Sequence, residues 1–194
     1  MSNGQTSEFS TSGHPKANGV NFIINYPSKW KTKEGNLPKT VQQIYDLKGD
    51  KKIVTIFTRD LKQIVKAALI EQGSTENMSD KALEELIRSR IDKFYENGIK
   101  DLGPINIITE KAVDIAGKKA LLVVGIMPAN KHPLNYSVVY YSYFILSGST
   151  MVTLCCEYQS SEKGRDFVEG STPFIRAGEL FALIVNSIKK IEKN

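Results

Sequence analysis

Residues 133–156 read PLNYSVVYYSYFILSGSTMVTLCC and contain no Asp, Glu, Lys or Arg. Residues 138–146 and 150–158 are rich in β-branched and aromatic side chains, and Ser147-Gly148-Ser149 separates them as a turn. Each half is shorter than the roughly 20 apolar residues of a membrane-spanning helix. The stretch therefore predicts a hairpin of two central strands, buried on both faces of a sheet because both alternating registers carry bulk. One register presents Val139, Tyr141, Tyr143 and Ile145, and the other presents Val138, Tyr140, Phe144 and Leu146.

Working outward from the hairpin, the same patterns predict the other elements. Helices are expected over residues 61–72 and over residues 79–97, where Ser79 caps the start and Asn97-Gly98 ends the helix. A polar loop follows the hairpin over residues 160–170, and Thr172-Pro173 opens a last helix. Lys189, Lys190 and Lys193 are placed near the C-terminus of that helix, where its dipole favours cations. Strands are expected over residues 20–26, 41–47, 53–59, 105–115 and 120–127.

This element order predicts an α+β fold. Runs of strands joined by short turns favour a largely antiparallel sheet, here of about six to seven strands. Strands with two apolar faces require helices on both sides, so we expect a single α/β/α sandwich.

The bulk composition is that of one domain with a full core, since the chain has 194 residues and is 41% hydrophobic. We expect residues 20–194 to form this domain. Residues 1–19 are mainly Ser, Thr, Asn and Gly, with too little apolar surface to offset the entropy of ordering, and are expected to be a flexible tail.

No catalytic, metal or cofactor site is predicted. His14 and His132 lack neighbouring ligands at metal-binding spacing, and no glycine-rich phosphate loop is present. Cys155 or Cys156 could be a nucleophile activated by His132, but no sequence context supports an activated thiol, so both are interpreted as inert strand residues, at least one of them buried. The charge of +5 is mild and lacks the dense basic stripe with exposed aromatics of nucleic-acid binders, so no nucleic acid is expected as a partner.

Lysines concentrate between residues 29 and 52, and this segment supplies the only binding surface legible in the sequence. Such a rim could attract an acidic protein or an anionic surface, although lysines at strand edges also keep the edges soluble. The loop after Trp30 and the turn at residues 48–52 are expected at opposite ends of the strand over residues 41–47. Trp30 is interpreted as a structural residue whose side chain covers the core, and the alternative is that it anchors a partner at an interface. The candidate partner-binding residues are Lys29, Trp30, Lys31, Lys33, Lys48, Lys51 and Lys52.

The segment Phe22-Ile23-Ile24-Asn25-Tyr26-Pro27-Ser28-Lys29-Trp30 resembles the strand-Tyr-Pro-x-x-Trp start of the PsbP/DcrB-like family. This group includes the PsbP subunit of photosystem II, a Ran-binding nuclear import factor and bacterial DcrB-type proteins. The resemblance spans roughly residues 19–192 and includes the final helix. It implies a non-catalytic α/β/α domain that binds other proteins, often in the envelope or an exported compartment. No catalytic residue and no specific partner carries over.

The leading interpretation is a non-catalytic partner-binding or accessory domain without a cofactor. It would be periplasmic or secreted, with an export signal absent from these residues; a cytoplasmic location is the alternative. A small-molecule or lipid carrier is the second interpretation, favoured by four tyrosines in one strand at positions 136, 140, 141 and 143. An unrecognised hydrolase is the third. No segment resembles a transmembrane helix, and nothing in the residues indicates an oligomeric state.

Overall fold

The charge-free hairpin lies at the middle of the structure, a computed structural model that describes residues 5–72 and 78–193. It forms β9 (Val138–Ser147) and β10 (Thr150–Gln159), joined by a turn in which Gly148 has a φ of +59°. The other strands are β1 (Thr6–Ser10), β2 (Val20–Asn21), β3 (Ile23–Pro27), β4 (Lys31–Glu34), β5 (Thr40–Asp46), β6 (Lys51–Asp60), β7 (Asn106–Ile115), β8 (Lys118–Met127) and β11 (Glu192–Lys193). The helices are α1 (Leu61–Glu71), α2 (Asp80–Ser89), α3 (Ile91–Lys100) and α4 (Thr172–Asn186), with short 3-10 turns at Pro15–Ala17 and Ala129–Lys131.

The main sheet has seven antiparallel strands in the order β4-β5-β6-β10-β9-β8-β7, so the predicted α+β class is confirmed. α4 packs on one face of the sheet, and α1, α2 and α3 pack on the other. We call these the α4 face and the α1–α3 face. No helix in the part of the chain that the structure describes is long and apolar enough to cross a membrane.

The predicted division of the hairpin between two faces is confirmed. Val139, Tyr141, Tyr143 and Ile145 belong to the core under α4, whereas Phe144 belongs to the core under α1, α2 and α3. Large side chains in both registers thus bind helices to both faces of the same strands. Burial of each such side chain contributes roughly 1.5–3 kcal/mol to folding.

The helix predicted over residues 79–97 is two helices, α2 and α3, with Arg90 between them. Ser79 is the cap, as predicted, and its Oγ accepts a hydrogen bond from the Ala82 N–H over 3.3 Å. The expected end at Asn97-Gly98 is wrong, because α3 continues to Lys100. Gly98 is buried inside the helix, where a Cβ atom would lie 2.6 Å from the Phe144 ring, so its role is close approach to the sheet rather than helix termination. The predicted short helix over residues 61–72 is confirmed as α1.

The flexible tail expected over residues 1–19 is wrong for residues 5–19, and residues 1–4 lie outside the described part of the chain. β1 pairs antiparallel with β3. Thr11 is fully buried, and its Oγ1 donates to the Val20 carbonyl over 2.8 Å and accepts from the Phe22 N–H over 3.0 Å. Backbone pairing and one buried hydroxyl order this polar segment, and composition does not reveal such interactions.

The chain after α4 also differs from the prediction. α4 ends at Asn186, and β11 pairs with β2, so Lys189, Lys190 and Lys193 are not at a helix terminus. The strand predicted over residues 20–26 is correspondingly two strands, because β2 pairs with β11 while β3 pairs with β1. The Lys193 ammonium donates to Ser149 Oγ over 2.7 Å and to Thr150 Oγ1 over 2.9 Å, at the turn of the central hairpin.

Candidate functional site

A cavity of about 520 Å³ lies on the α1–α3 face, over the part of the sheet that these helices leave uncovered. Its walls are residues 37–40, which end at the first residue of β5, and Asp101 and Leu102, which directly follow α3. Its floor consists of Tyr140, Phe144, Met151, Thr153, Cys155 and Glu157.

The hollow follows from the residue sizes along the sheet. Cys155 lies opposite Thr55 on β6 and opposite Ser142 on β9, so three small side chains form a row across three strands. All three are buried. Rows of larger residues lie to either side: Thr153 is opposite Phe57 and Phe144, and Glu157 is opposite Tyr140. Of the three small residues, Cys155 lines the cavity, and the short side chains of this row leave room between the bulkier rows on either side.

Glu157 is a partly buried carboxyl without a cationic partner among residues 5–72 and 78–193, since none of the ion pairs found there includes it. Its polar contact is the Cys155 thiol, which donates to Glu157 Oε1 over 4.0 Å. Burial raises the pKa of Glu157 from 4.5 to about 7, because a carboxylate loses hydration there. Near neutral pH this carboxyl is therefore divided between its charged and neutral forms.

The other polar groups of the floor stay protonated at neutral pH. Burial, and then the charge of Glu157, raises the pKa of the Cys155 thiol and that of the Tyr140 hydroxyl. Ser142 Oγ donates to Cys155 Sγ over 3.6 Å. The site thus offers a thiol, a phenol and a carboxyl at the bottom of a mainly apolar hollow.

The predicted burial of a cysteine is confirmed, and both Cys155 and Cys156 are buried and unbridged. Cys156 faces the α4 core, and burial raises its pKa as well. His132 is engaged elsewhere: its Nδ1 accepts from the Leu134 N–H over 3.2 Å, and its ring lies against Tyr136. Neither thiol therefore has the electropositive, partly exposed setting of a reactive cysteine. Among the residues that the structure describes, no group of three His, Cys, Asp or Glu side chains could hold a metal ion.

The lysine segment is arranged differently from the prediction. Residues 31–34 form β4, an exposed edge strand that was expected to be a loop. β4 runs antiparallel to β5 with Lys31 opposite Tyr45, and Tyr45 lies opposite Ile53 on β6. Lys31 is therefore at the same end of the sheet as the turn between β5 and β6, and the expectation of opposite ends is wrong for it. Lys33 lies two residues further along, opposite Gln43.

The loop that follows β10 also lies at this end of the sheet, near the lysines. Asp50 accepts from the Tyr158 hydroxyl over 2.7 Å and from the Ser161 hydroxyl over 2.7 Å, and so ties the β5–β6 turn to the loop after β10. Burial opposes ionisation of Asp50, but these hydrogen bonds and the Lys52 charge hold its pKa below its usual value. The ammonium groups of Lys51 and Lys163 then lie 5.4 Å and 5.9 Å from the ring centroid of Tyr136.

The remaining candidate residues are placed as follows. Lys29 and Lys48 are exposed, and Lys52 is partly buried and pairs with Asp46 over 3.7 Å. Trp30 is buried in the α4 core, at 9% exposed, which favours its interpretation as a structural residue. We define the basic end as Lys29, Lys31, Lys48, Lys51 and Lys163.

Sequence reasoning missed the cavity and its carboxyl, although one signal was present. Glu157 is the first charged residue after the charge-free stretch, and it continues the register of Met151, Thr153 and Cys155. A carboxyl in a register otherwise directed at a core indicates a buried polar group that needs a partner.

No protein-family model and no curated protein matches the sequence. The solved structures with a similar fold include the following two. LpqN, involved in cell envelope biogenesis of Mycobacterium tuberculosis, aligns with a TM-score of 0.50 at 12% identity over 97% of this chain and 92% of LpqN. The cyanobacterial PsbP (CyanoP) of Synechocystis sp. PCC 6803 aligns with a TM-score of 0.46 at 12% identity over 97% of this chain and 95% of CyanoP. At 12% identity, the likeness to LpqN concerns the fold alone.

Proposed function

We propose that this chain is a non-catalytic binding domain whose ligand is a small, largely apolar molecule held in the cavity of the α1–α3 face. The observation that carries the proposal is the cavity itself, of about 520 Å³. Small-molecule sites are commonly hollows of about 300–1,000 Å³ with mostly apolar walls and a few polar groups. This cavity has Phe144 and Met151 in its floor together with the Glu157 carboxyl.

The chemistry of the floor supports binding rather than turnover. Burial keeps the Cys155 thiol and the Tyr140 phenol protonated, so neither is an activated nucleophile or a base at neutral pH. Glu157 is opposite Tyr140 on the neighbouring strand, and its carboxyl accepts a hydrogen bond from the Cys155 thiol. These groups can orient a ligand by hydrogen bonding without breaking a bond in it.

A fluorescence titration with N-phenyl-1-naphthylamine, an apolar dye that brightens in dry sites, tests the proposal. The variant Thr153→Trp places an indole on the cavity floor, and Thr32→Trp on the exposed strand β4 is the matched control. We expect the wild-type protein and the control to bind the dye, and Thr153→Trp to bind it at least about tenfold more weakly, a loss of about 1.4 kcal/mol. In the wild-type protein, the dye should shift the amide resonances of Thr153 and Cys155. No binding by the wild-type protein, or equal binding by all three, would contradict the proposal.

The basic end supports a second candidate function, the binding of an acidic protein surface. The specific observation is that several lysines lie at the same end of the sheet. Lys31 is near the β5–β6 turn by register, and the ammonium groups of Lys51 and Lys163 both lie within 6 Å of the Tyr136 ring centroid. Exposed lysines act mainly on encounter rate, so such binding should weaken steeply with salt.

Titration with fluorescein-labelled poly-L-glutamate at increasing salt tests this second candidate. The pair Lys31→Glu with Lys51→Glu should weaken binding and flatten its salt dependence. The pair Lys81→Glu with Lys93→Glu changes the net charge equally, at exposed positions on α2 and α3, and should have a smaller effect. Equal effects of the two pairs would mean that only net charge matters, and the lysines would then serve to protect the sheet edge.

An accessory role in a periplasmic or secreted compartment completes the proposal. Its support is the fold shared with LpqN, a protein involved in cell envelope biogenesis. Fractionation of the source cells with an antibody to this chain should find it outside the cytoplasm. Recovery in the cytoplasmic fraction would overturn this part alone.

A further inference from the structure

The cavity is elongated, and its two ends differ in polarity. Met151, Thr153, Cys155 and Glu157 occupy alternate positions of β10, so the floor extends for about 20 Å at the 3.2–3.4 Å rise per strand residue. Met151 and Phe144 make one end apolar and pack in the core under α1, α2 and α3. Glu157 and Tyr140, opposite each other across β10 and β9, make the other end polar.

Cations border the cavity, but the register separates most of them from Glu157. Arg59 lies opposite Met151, at the apolar end, and its guanidinium pairs with Asp101. Lys39 is an exposed residue of the cavity wall. Its neighbour Thr40 belongs to the cross-strand row of Phe57 and Thr153, which is not the row of Glu157. The polar end therefore has no counter-ion from these two residues.

Two lysines of the basic end share the sheet face with Glu157. Lys51 lies opposite Gln159 and is thus a diagonal neighbour of Glu157, but its ammonium is held over the Tyr136 ring at 5.4 Å. Lys31 is in the same cross-strand row, with Tyr45 and Ile53 between it and Glu157. In the described part of the chain neither forms an ion pair with the carboxyl within 4.0 Å.

Building on the proposed function, we propose that the cavity ligand is an elongated apolar molecule with a protonated amine at one end. The amine binds the Glu157 carboxylate, and the apolar body extends over Thr153 toward Phe144 and Met151. The Tyr140 phenol, opposite Glu157, offers the ammonium group a second oxygen.

The energetics favour a cation over a neutral group at this place. A carboxylate that is desolvated without a partner is costly, and burial has already raised its pKa to about 7. An ammonium ion supplies the missing charge, and a hydrogen bond to a charged group contributes about 1.5–3 kcal/mol, or roughly 10- to 100-fold in affinity. A hydroxyl on the same body gains only a neutral hydrogen bond, and a carboxylate would meet a like charge.

Matched probes test this inference by isothermal titration calorimetry at pH 8: n-nonylamine, n-nonanol and n-nonanoate. We expect the amine to bind at least about tenfold more tightly than the alcohol, and nonanoate to bind most weakly. Glu157→Gln keeps the shape of the side chain and removes its charge, so it should abolish the preference and leave the amine and the alcohol with similar affinities. Glu110→Gln, at an exposed position of β7, is the control and should retain the preference.

The pH dependence supplies a second readout. Glu157 must be ionised to hold the amine. The ratio of amine affinity to alcohol affinity should therefore fall by up to about tenfold when the pH is lowered from 8 to 6. Equal affinity of amine and alcohol, or tighter binding of the alcohol or of nonanoate, would overturn the inference and leave the binding function standing. Failure of all three probes and of N-phenyl-1-naphthylamine would overturn both.

Discussion

The substitution Glu157→Gln should stabilise the protein in the absence of ligand, and the gain should depend on pH. The folded protein holds this carboxyl at a pKa of about 7, against 4.5 without the protein environment. Between these two values the native state binds more protons at this site than the unfolded state does, so the free energy of unfolding falls as the pH rises. The site therefore destabilises the wild-type protein most above pH 7 and least below about pH 4.5.

The shift of about 2.5 pH units corresponds to about 3 kcal/mol at high pH, at 1.36 kcal/mol per unit. At pH 5 part of the cost is already present, because the unfolded carboxyl has begun to ionise. The stability of Glu157→Gln relative to wild type should therefore increase by about 2–3 kcal/mol from pH 5 to pH 8. In a chain of this length that difference amounts to about 4–12 °C in melting temperature.

Urea unfolding followed by circular dichroism at several pH values measures the difference directly. Subtracting variant from wild type at each pH removes the other titrating groups, which both proteins share. Glu110→Gln on β7 should show no such trend, because its side chain is exposed. The electrostatic account of the cavity floor would be refuted if the stability of Glu157→Gln relative to wild type did not change with pH. It would also be refuted if that relative stability were lower at pH 8 than at pH 5.

Four further outcomes are expected. Trp30→Ala should cost about 3–5 kcal/mol of stability, as for other buried aromatic side chains; an unchanged urea midpoint would place Trp30 outside the core. Gly98→Ala should destabilise by about 1–3 kcal/mol through overpacking against Phe144 despite the better helix propensity of alanine, and a gain in melting temperature would refute this. Deleting residues 1–10 removes β1 but keeps Thr11, and should lower the melting temperature by more than about 2–4 °C; an unchanged value would mean that the pairing of β1 contributes little. Cys155 and Cys156 should both react slowly with a thiol reagent at neutral pH; rapid labelling of either would contradict the raised pKa values.

The sequence predicted the elements that depend on long apolar patterns. The charge-free hairpin, the flanking strands and the helix at residues 61–72 are in place, because burial of a periodic face decides them locally. The pieces that were missed depend on partners distant in the chain. Thr11 needs Val20 and Phe22, and β11 needs β2, so nothing within a short window indicates either.

The candidate site was harder to foresee than the fold, for a geometric reason. A cavity is a difference in size between neighbouring rows of a sheet, and those rows become visible only when the register is known. Cys155, Thr55 and Ser142 are small residues from three separate strands, and none is unusual by itself. Similarly, the direction of β4 brings Lys31 to the β5–β6 turn, and the turn and loop lengths alone did not reveal that direction.

The pairing of β2 with β11 also bears on synthesis. Residue 21 leaves the ribosome well before its partner at residue 192, about 10–30 s earlier at 5–20 residues per second. Until then the backbone of β2 lacks its partner strand, and the Lys193 ammonium cannot reach the turn of the central hairpin. The seven-stranded sheet can pair before this closure, since its last strand, β10, ends at Gln159. Of the pairings made by the N-terminal segment, the one between β2 and β11 is therefore completed last, after every strand of the seven-stranded sheet has been synthesised.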